Sequence, residues 1–270
     1  MKTGILLMAY GAPERLEDVE PFLRRILARR PPSPETLEEF VERYRRIGGG
    51  SPLPRIARAL AASLEDRLRV PVFLGMLHTP PFIAETVSRA RREGIDRLVG
   101  LTLAPHFNRA SIEPCHEELR KTDVSCVLVE SWHREPALLE YWKGVTRGRD
   151  FVLYTAHSVP LGKAGPYPDQ VAEMVSAIAG GPHRLAYQSQ SGGPDPWLGP
   201  SIGDVLPSLP KDVSVAPVGF VTDNLEILYD LDVLHRGEAE ARGIRWERLP
   251  MPNDHPLLVE ALASAAGRHL

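Results

Sequence analysis

The stretch DFVLYTAH (residues 150–157) decides the fold class of this chain. Asp150–Ala156 is a short run rich in apolar, aromatic and β-branched residues, which is typical of a buried strand, and His157 follows it at once. A helical pattern comes next over Pro168–Ala179, and a second strand pattern follows over Arg184–Gln190. A strand, a helix and another strand in this order predict two parallel strands joined by a crossover helix.

The same alternation runs along the whole chain. The other predicted strands are Gly4–Tyr10, Val70–Leu77, Arg97–Ala104, Val124–Glu130, Val213–Val218 and Ile244–Leu249. The other predicted helices include Leu16–Ala28, one capped by Ser33, Ile83–Arg92, Ile112–Lys121, Pro136–Thr146, Asn224–Glu240 and one from Asp254 to Arg268. We therefore predict an α/β fold of two Rossmann-like domains, each a parallel sheet of about four strands flanked by helices.

The predicted boundary lies where the alternation restarts after a helix. We assign residues 1–147 to the N-terminal domain and residues 148–254 to the C-terminal domain. The last helix, within residues 255–270, is expected to pack back on the N-terminal domain.

Composition excludes several classes of protein. Of 270 residues, 43% are hydrophobic and 25% are charged, which is the ordinary range for globular chains. The net charge of −3 provides no positive field for nucleic acid. The two cysteines, Cys115 and Cys126, form no metal-binding motif, and no apolar run is long enough for a transmembrane span. These features predict a cytoplasmic protein without disulfides.

Polar residues follow the predicted strands at the edge where ligands bind in such folds. Tyr10 follows the first strand, His157 the fifth and Gln188 ends the sixth. An isolated histidine is most often an ordinary core or surface residue, but this position favours a functional role.

One predicted helix carries three acidic residues. Asp223, Glu226 and Asp230 are spaced three and four apart, so they share one face. Such a face is usually solvated, but the apolar residues around it favour a site for protons or a divalent cation. No P-loop, dinucleotide-binding or serine-hydrolase motif is present, so a nucleotide does not explain the fold.

Several segments resemble those of ferrochelatases, in the same order from end to end. The chain is most similar to the short, soluble bacterial members, with a chelatase-like fold and lyase activity. The matching segments are Leu6–Pro13, Arg43–Leu53, Leu103–Phe107, Thr155–Pro160, Pro166–Gln170, Gln188-Ser189, Pro194–Pro200, Pro217–Phe220 and Leu225–Asp230.

The resemblance implies roles for individual residues. His157 accepts pyrrole protons and contacts the metal, Glu226 is its carboxylate partner, and Asp230 extends this metal-contacting row. The residues implied to bind substrate are Tyr10, Ser51, Arg29, Arg30, Arg43, Gln188 and Trp197.

The resemblance also implies the reaction. We expect insertion of Fe²⁺ into coproporphyrin III to form coproheme, with iron as substrate, no permanently bound cofactor and no iron–sulfur cluster. Protoporphyrin IX as substrate, a non-catalytic haem or porphyrin carrier, and a sirohydrochlorin- or cobalt-specific chelatase are the alternatives. The expected partners are the porphyrin and ferrous iron, and we expect a monomer that makes transient contacts with neighbouring haem-pathway enzymes.

Two positions depart from the family pattern. Asn224 stands where many relatives have histidine, and this removes a titratable group near the predicted site. Cys115 stands where a relative of the same branch has tyrosine, and the adjacent His116 is expected at the surface.

Overall fold

The computed structural model of the chain describes residues 2–27, 31–190 and 195–270. It contains two parallel sheets of four strands each. In the first sheet the order is β2-β1-β3-β4, and in the second it is β6-β5-β7-β8. The strands are β1 (Thr3–Ala9), β2 (Val72–Met76), β3 (Arg97–Thr102), β4 (Ser125–Val129), β5 (Val152–His157), β6 (His183–Gln188), β7 (Asp212–Ala216) and β8 (Arg245–Arg248). The predicted fold class is confirmed.

The strand order places β1 and β5 at equivalent positions. Each is the first strand of its sheet in the chain, and each has its next two strands on opposite sides. The chain therefore crosses to one side of β1 or β5 for the next strand and to the other side for the strand after that. In such folds this change of direction creates a crevice at the carboxyl ends of the central strands, where ligands bind.

Helices cover the sheets. They are α1 (Val19–Ile26), α2 (Pro34–Arg46), α3 (Leu53–Leu68), α4 (Ile83–Arg92), α5 (Ile112–Arg120), α6 (Pro136–Thr146), α7 (Leu161–Ala164), α8 (Tyr167–Ile178), α9 (Ile202–Val205), α10 (Arg236–Glu240) and α11 (Pro256–Gly267). Short 3₁₀ turns occur at Leu16–Asp18 and Leu206–Ser208.

Two of the predicted helix starts can be compared with the structure. Ser33 accepts a hydrogen bond from the Thr36 amide at the start of α2, as its predicted capping role requires. The predicted cap at Asp254 is wrong, because the His255 imidazole accepts from the Leu257 amide one residue later. The proline that follows His255 is suited to the first helical position, and this moves the helix start forward.

The segment predicted as one α-helix over Asn224–Glu240 is more complex. Residues Glu226–His235 form a π-helix, and α10 continues from it. The hydrogen bonds of a π-helix join residues five apart instead of four, and single turns of this kind are common at functional sites. An apolar pattern indicates which side of a helix is buried but does not select between these hydrogen-bond registers.

One continuous cluster of buried side chains extends from β1 through the second sheet to α11. The C-terminal helix α11 packs against α3 and α6, with Leu258 and Leu262 fully buried. The two sheets occupy separate parts of the chain, while the domain limits at residues 147 and 254 stay predictions. No helix of the described residues is both long and apolar enough to cross a bilayer.

Candidate active site

The site lies where β1 and β5 end. Tyr10 follows β1, His157 is the last residue of β5, and Glu226 is the first residue of the π-helix. These positions belong to both halves of the chain, so the site forms only when the two sheets pack together.

His157 is held with one ring nitrogen available. Its Nδ1 contacts the carbonyl oxygen of Ser158, which can only accept a hydrogen bond. Nδ1 therefore carries the proton, and Nε2 has the lone pair that can take a proton or bind a cation. The ring of Phe220 packs edge-on against the imidazole, with 6.0 Å between the ring centroids.

The turn that carries Phe220 depends on a glycine. The Gly219 amide donates to the Thr155 carbonyl oxygen at 3.1 Å, so this turn lies directly on β5. A Cβ atom at Gly219 would lie 2.6 Å from Cα of Ala156, closer than real side chains approach. A larger residue would push the turn away from the strand that ends at His157.

Glu226 is a partly buried carboxylate among charged neighbours. Burial raises the pKa of its carboxyl group above the ordinary value, His157 opposes this shift, and Asp230 adds to it. Arg43 also lowers the pKa of Glu226. Because His157 and Asp230 both influence the pKa of Glu226, the three predicted partners lie within electrostatic range of one another.

Asp230 lies on the π-helix, one turn after Glu226, and is buried. Its carboxylate accepts a hydrogen bond from the Ser189 hydroxyl at the end of β6. Among the described residues, no three His, Cys, Asp or Glu side chains are gathered closely enough to hold a metal ion. The metal-contacting set His157, Glu226 and Asp230 therefore stays a prediction.

Asp223 does not belong to this acidic face, contrary to the sequence interpretation. It precedes the helix, where its carboxylate accepts from the Asn253 side-chain amide at 2.7 Å and lies 3.5 Å from Arg248. Because Asp223 is outside the helix, the three- and four-residue spacing does not align it with Glu226 and Asp230.

Asn224 caps the helix that carries the carboxylates. Its Oδ1 accepts from the Ile227 amide at 3.0 Å, and its carbonyl oxygen accepts from the Leu228 amide at 2.9 Å. The side chain is 7% exposed. The departure from histidine at this position thus supplies a favourable N-terminal cap.

Replacing Asn224 by alanine is expected to lower the free energy of unfolding by about 1 kcal/mol, because one helix N–H loses its acceptor. Serine at the same position retains an acceptor oxygen and should recover most of this loss. Urea unfolding of both variants measures the difference. Equal stability of the alanine variant and the wild type would contradict the capping role.

Aromatic side chains form a wall where β1 ends. The Tyr10 ring lies edge-on to His78 with 4.4 Å between centroids, and Phe22 packs 6.4 Å from Tyr10. Tyr10 as a whole residue is 39% exposed. Burial of its hydroxyl, together with Glu226 and Cys115 nearby, raises the pKa of Tyr10 to about 12, which keeps it a neutral phenol.

Gly11 allows the chain to turn after Tyr10. Its φ of +88° lies in the left-handed region, and a Cβ atom there would meet the Thr79 hydroxyl at 2.5 Å. The turn brings Tyr10 beside His78, whose own pKa is lowered to about 4 by burial and by Arg25.

Two cations near the candidate site lie against aromatic rings. The Arg25 guanidinium stacks over Phe82 at 3.9 Å from the ring centroid, and no described carboxylate pairs with it. Arg43 lies 5.4 Å from the Tyr229 ring centroid and pairs with Glu39. Aromatic stacking holds the planar guanidinium in one orientation while its donors remain available.

Other predicted substrate contacts have different surroundings. Ser51 is buried, and its hydroxyl accepts from the Leu53 amide at 3.3 Å, next to the start of α3. Gln188 is 1% exposed, and both ends of its side-chain amide bond protein atoms. Trp197 is half-buried, and its backbone forms an isolated antiparallel β-bridge with Pro160 in the loop after β5. Arg29 and Arg30 lie outside the described residues.

His116 is buried, contrary to its predicted surface position. It is 1% exposed and packs 5.9 Å from Phe107 between ring centroids. The inner face of α5 includes both Cys115 and His116, so the helix turns the histidine toward the body of the protein.

Sequence reasoning missed Phe22, Arg25, Tyr44 and Phe82. Phe22 and Arg25 are three residues apart on α1 and so share one helix face, and this spacing could have indicated both residues from the sequence. Tyr44 is buried, and burial with Glu226 nearby raises its pKa. No local pattern relates Tyr44 or Phe82 to residues that are far away in the chain.

Known proteins resemble this chain along nearly its whole length. A sequence model of the family described as Ferrochelatase matches residues 2–270. The coproporphyrin III ferrochelatase of Halalkalibacterium halodurans is 34% identical over 302 aligned positions, covering 100% of this chain and 97% of the relative. That of Geobacillus kaustophilus is 36% identical, covering 97% of this chain and 94% of the relative.

Solved structures of low identity share the fold. SirB from Bacillus subtilis with Fe³⁺ aligns with a TM-score of 0.65 at 12% identity, over 99% of this chain and 95% of SirB. CbiX, described as the terminal enzyme for biosynthesis of siroheme in denitrifying bacteria, aligns with a TM-score of 0.61 at 13% identity, over 99% of both chains. The family match over residues 2–270 and the relatives that are 34–36% identical over nearly the whole chain establish that the chain belongs to the ferrochelatase family.

Proposed function

We propose that this chain inserts Fe²⁺ into coproporphyrin III and so forms coproheme. The observation that carries the proposal is the available Nε2 of His157, at the carboxyl end of the central strand β5, within electrostatic range of the partly buried carboxylate of Glu226. The names of relatives that are 34–36% identical over nearly the whole chain support the same reaction.

The reaction requires removal of two pyrrole protons as Fe²⁺ enters the macrocycle. In our proposal the Nε2 atom of His157 accepts the two protons one after the other as general base, and releases the first to solvent before it takes the second. Glu226 offsets the incoming positive charge, and its raised pKa makes it a better proton acceptor than an exposed glutamate. Asp230, one turn further along the π-helix, continues the negative potential away from the macrocycle.

Tyr10 would face the macrocycle from the side opposite His157. As a neutral phenol it offers an oxygen without adding a charge that competes with Glu226. Together with Phe22 and His78, it provides a mostly apolar wall against which a flat aromatic ring can pack.

The four carboxylates of coproporphyrin III call for cations at the rim of the cleft. Arg25, stacked on Phe82, offers donors to one carboxylate through charge-assisted hydrogen bonds. Arg43 is a second candidate because it lies within electrostatic range of Glu226. The implied roles of Arg29 and Arg30, the monomeric state and further protein partners stay predictions.

Anaerobic insertion of Fe²⁺, followed by absorbance, tests the proposal. We expect kcat/KM for coproporphyrin III to exceed that for protoporphyrin IX by at least about tenfold, since each lost charge-assisted hydrogen bond costs about 1.5 kcal/mol or more. Preference for protoporphyrin would assign the chain to the alternative substrate. Tight porphyrin binding without insertion of any divalent metal would identify a carrier, and preference for sirohydrochlorin would identify the third alternative.

A pair of variants gives this assay its control. Arg25→Gln should raise the KM for coproporphyrin III about tenfold, because the substrate loses a charged donor. Arg24→Gln is the matched control: Arg24 lies on the same helix but pairs with Glu20 at 2.7 Å, so its loss should leave KM unchanged. Equal effects of the two variants would argue against a carboxylate site at Arg25.

A further inference from the structure

The ends of two neighbouring strands hold the catalytic neighbourhood together. β5 and β6 are parallel, and His157 is the register partner of Gln188. The Ser158 amide donates to the Gln188 carbonyl oxygen at 2.8 Å, so the backbone remains paired just beyond His157. Any side chain anchored at Gln188 is therefore fixed relative to His157.

The Gln188 side chain connects this strand end to the π-helix. Its Oε1 accepts from the Thr155 hydroxyl at 2.7 Å, and its Nε2 donates to the Glu226 carbonyl oxygen at 2.9 Å. Thr155 is fully buried and lies two residues before His157 on β5. Two consecutive hydrogen bonds thus join the strand that carries His157 to the residue that carries the opposing carboxylate.

Ser189, the next residue, makes a parallel connection. Its hydroxyl donates to the carboxylate of Asp230, one turn along the π-helix. Its φ of +61° lies in the left-handed region, which costs about 1 kcal/mol or more for a residue with a Cβ atom. Residues 188 and 189 therefore contact two of the three acidic residues of the π-helix, Glu226 and Asp230, from a single strand end.

We infer that Gln188 is a positioning residue that sets the separation of Glu226 from His157, through its bonds to Thr155 and to the Glu226 carbonyl oxygen. This inference rests on the proposed function. It replaces the predicted substrate-binding role, because Gln188 is 1% exposed and its amide oxygen and nitrogen already bond protein atoms.

Three variants test the inference in the full-length protein. Gln188→Met removes both side-chain hydrogen bonds at similar volume, and Thr155→Val removes only the first. We expect kcat to fall about tenfold to 100-fold in Gln188→Met and less in Thr155→Val, since displacing a catalytic group by about 1 Å can cost 100-fold. The KM for coproporphyrin III should remain unchanged in both. Thr155→Ser keeps the hydroxyl and should retain the wild-type kcat.

The measured rates are divided by the concentration of folded protein, determined from porphyrin-binding stoichiometry. If Gln188→Met does not fold, the comparison of Thr155→Val with Thr155→Ser decides. Unchanged kcat in the valine variant, equal loss in the serine variant, or a raised KM with normal kcat in Gln188→Met overturns the inference alone. A wild-type chain that inserts no metal overturns the proposed function, and the inference falls with it.

Discussion

His157→Ala is expected to lower kcat for metal insertion by at least about 100-fold, because the reaction loses its general base. The substrate should still bind, since the aromatic wall around Tyr10 and the cations of the rim are untouched. The structure supplies the reason for choosing this residue: Nδ1 is committed to the Ser158 carbonyl oxygen, so Nε2 alone can take the proton.

Steady-state insertion of Fe²⁺ measures the loss, and titration of porphyrin absorbance measures binding separately. Added imidazole should restore part of the rate, because it can occupy the space left by the side chain. His183→Ala is the matched control: His183 is exposed at the first position of β6, at the opposite end of the sheet. A His157→Ala enzyme with wild-type kcat would refute the proposed role.

Glu226→Gln should lower kcat by about 100-fold while leaving the KM for porphyrin unchanged, since a neutral amide cannot offset the charge of incoming Fe²⁺. Glutamine has nearly the same shape as glutamate, and its backbone carbonyl can still accept from Gln188. The substitution therefore removes the negative charge and keeps the side-chain shape and the hydrogen bond to Gln188.

The pH dependence gives a second readout for Glu226. Burial raises its pKa, so the carboxylate is lost as the pH falls through a value above that of an exposed glutamate. The wild-type kcat should decline on the acid side through this value, whereas the glutamine variant lacks the step. Glu238→Gln is the control: it changes a carboxylate on α10 that pairs with His235, and it should leave the pH profile of kcat unaltered. An identical acid limb in wild type and Glu226→Gln would count against this assignment.

Much of the fold could be predicted from patterns along the chain. Short apolar runs rich in β-branched residues indicate strands, and the helices between them require parallel pairing, because the chain must cross back before each new strand. All eight predicted strands occur, four in each sheet. Helix types were harder to predict, as the π-helix at Glu226–His235 shows, because hydrogen-bond register depends on packing as well as on periodicity.

The candidate site was predictable in position but not in its internal contacts. The rule that ligands bind beyond the carboxyl ends of strands led directly to Tyr10 and His157. Helical spacing placed Asp223 with the acidic face, and the family resemblance placed Gln188 against the substrate. In the structure Asp223 bonds Asn253, and Gln188 bonds Thr155 and Glu226, all of them about thirty or more residues away along the chain.

The sequence by itself thus determined the class of fold, the strand ends that face the crevice and the membership of a family of metal-inserting enzymes. Periodicity and turn residues carry the information on the fold because they report which positions can be buried and where the chain must reverse, whereas the matching segments carry the family membership. Only the tertiary structure decided which polar groups are committed to protein partners, such as Gln188, and which remain available, such as Nε2 of His157. That choice depends on contacts between elements distant in the chain, and a buried polar group is stable only where such a contact satisfies it.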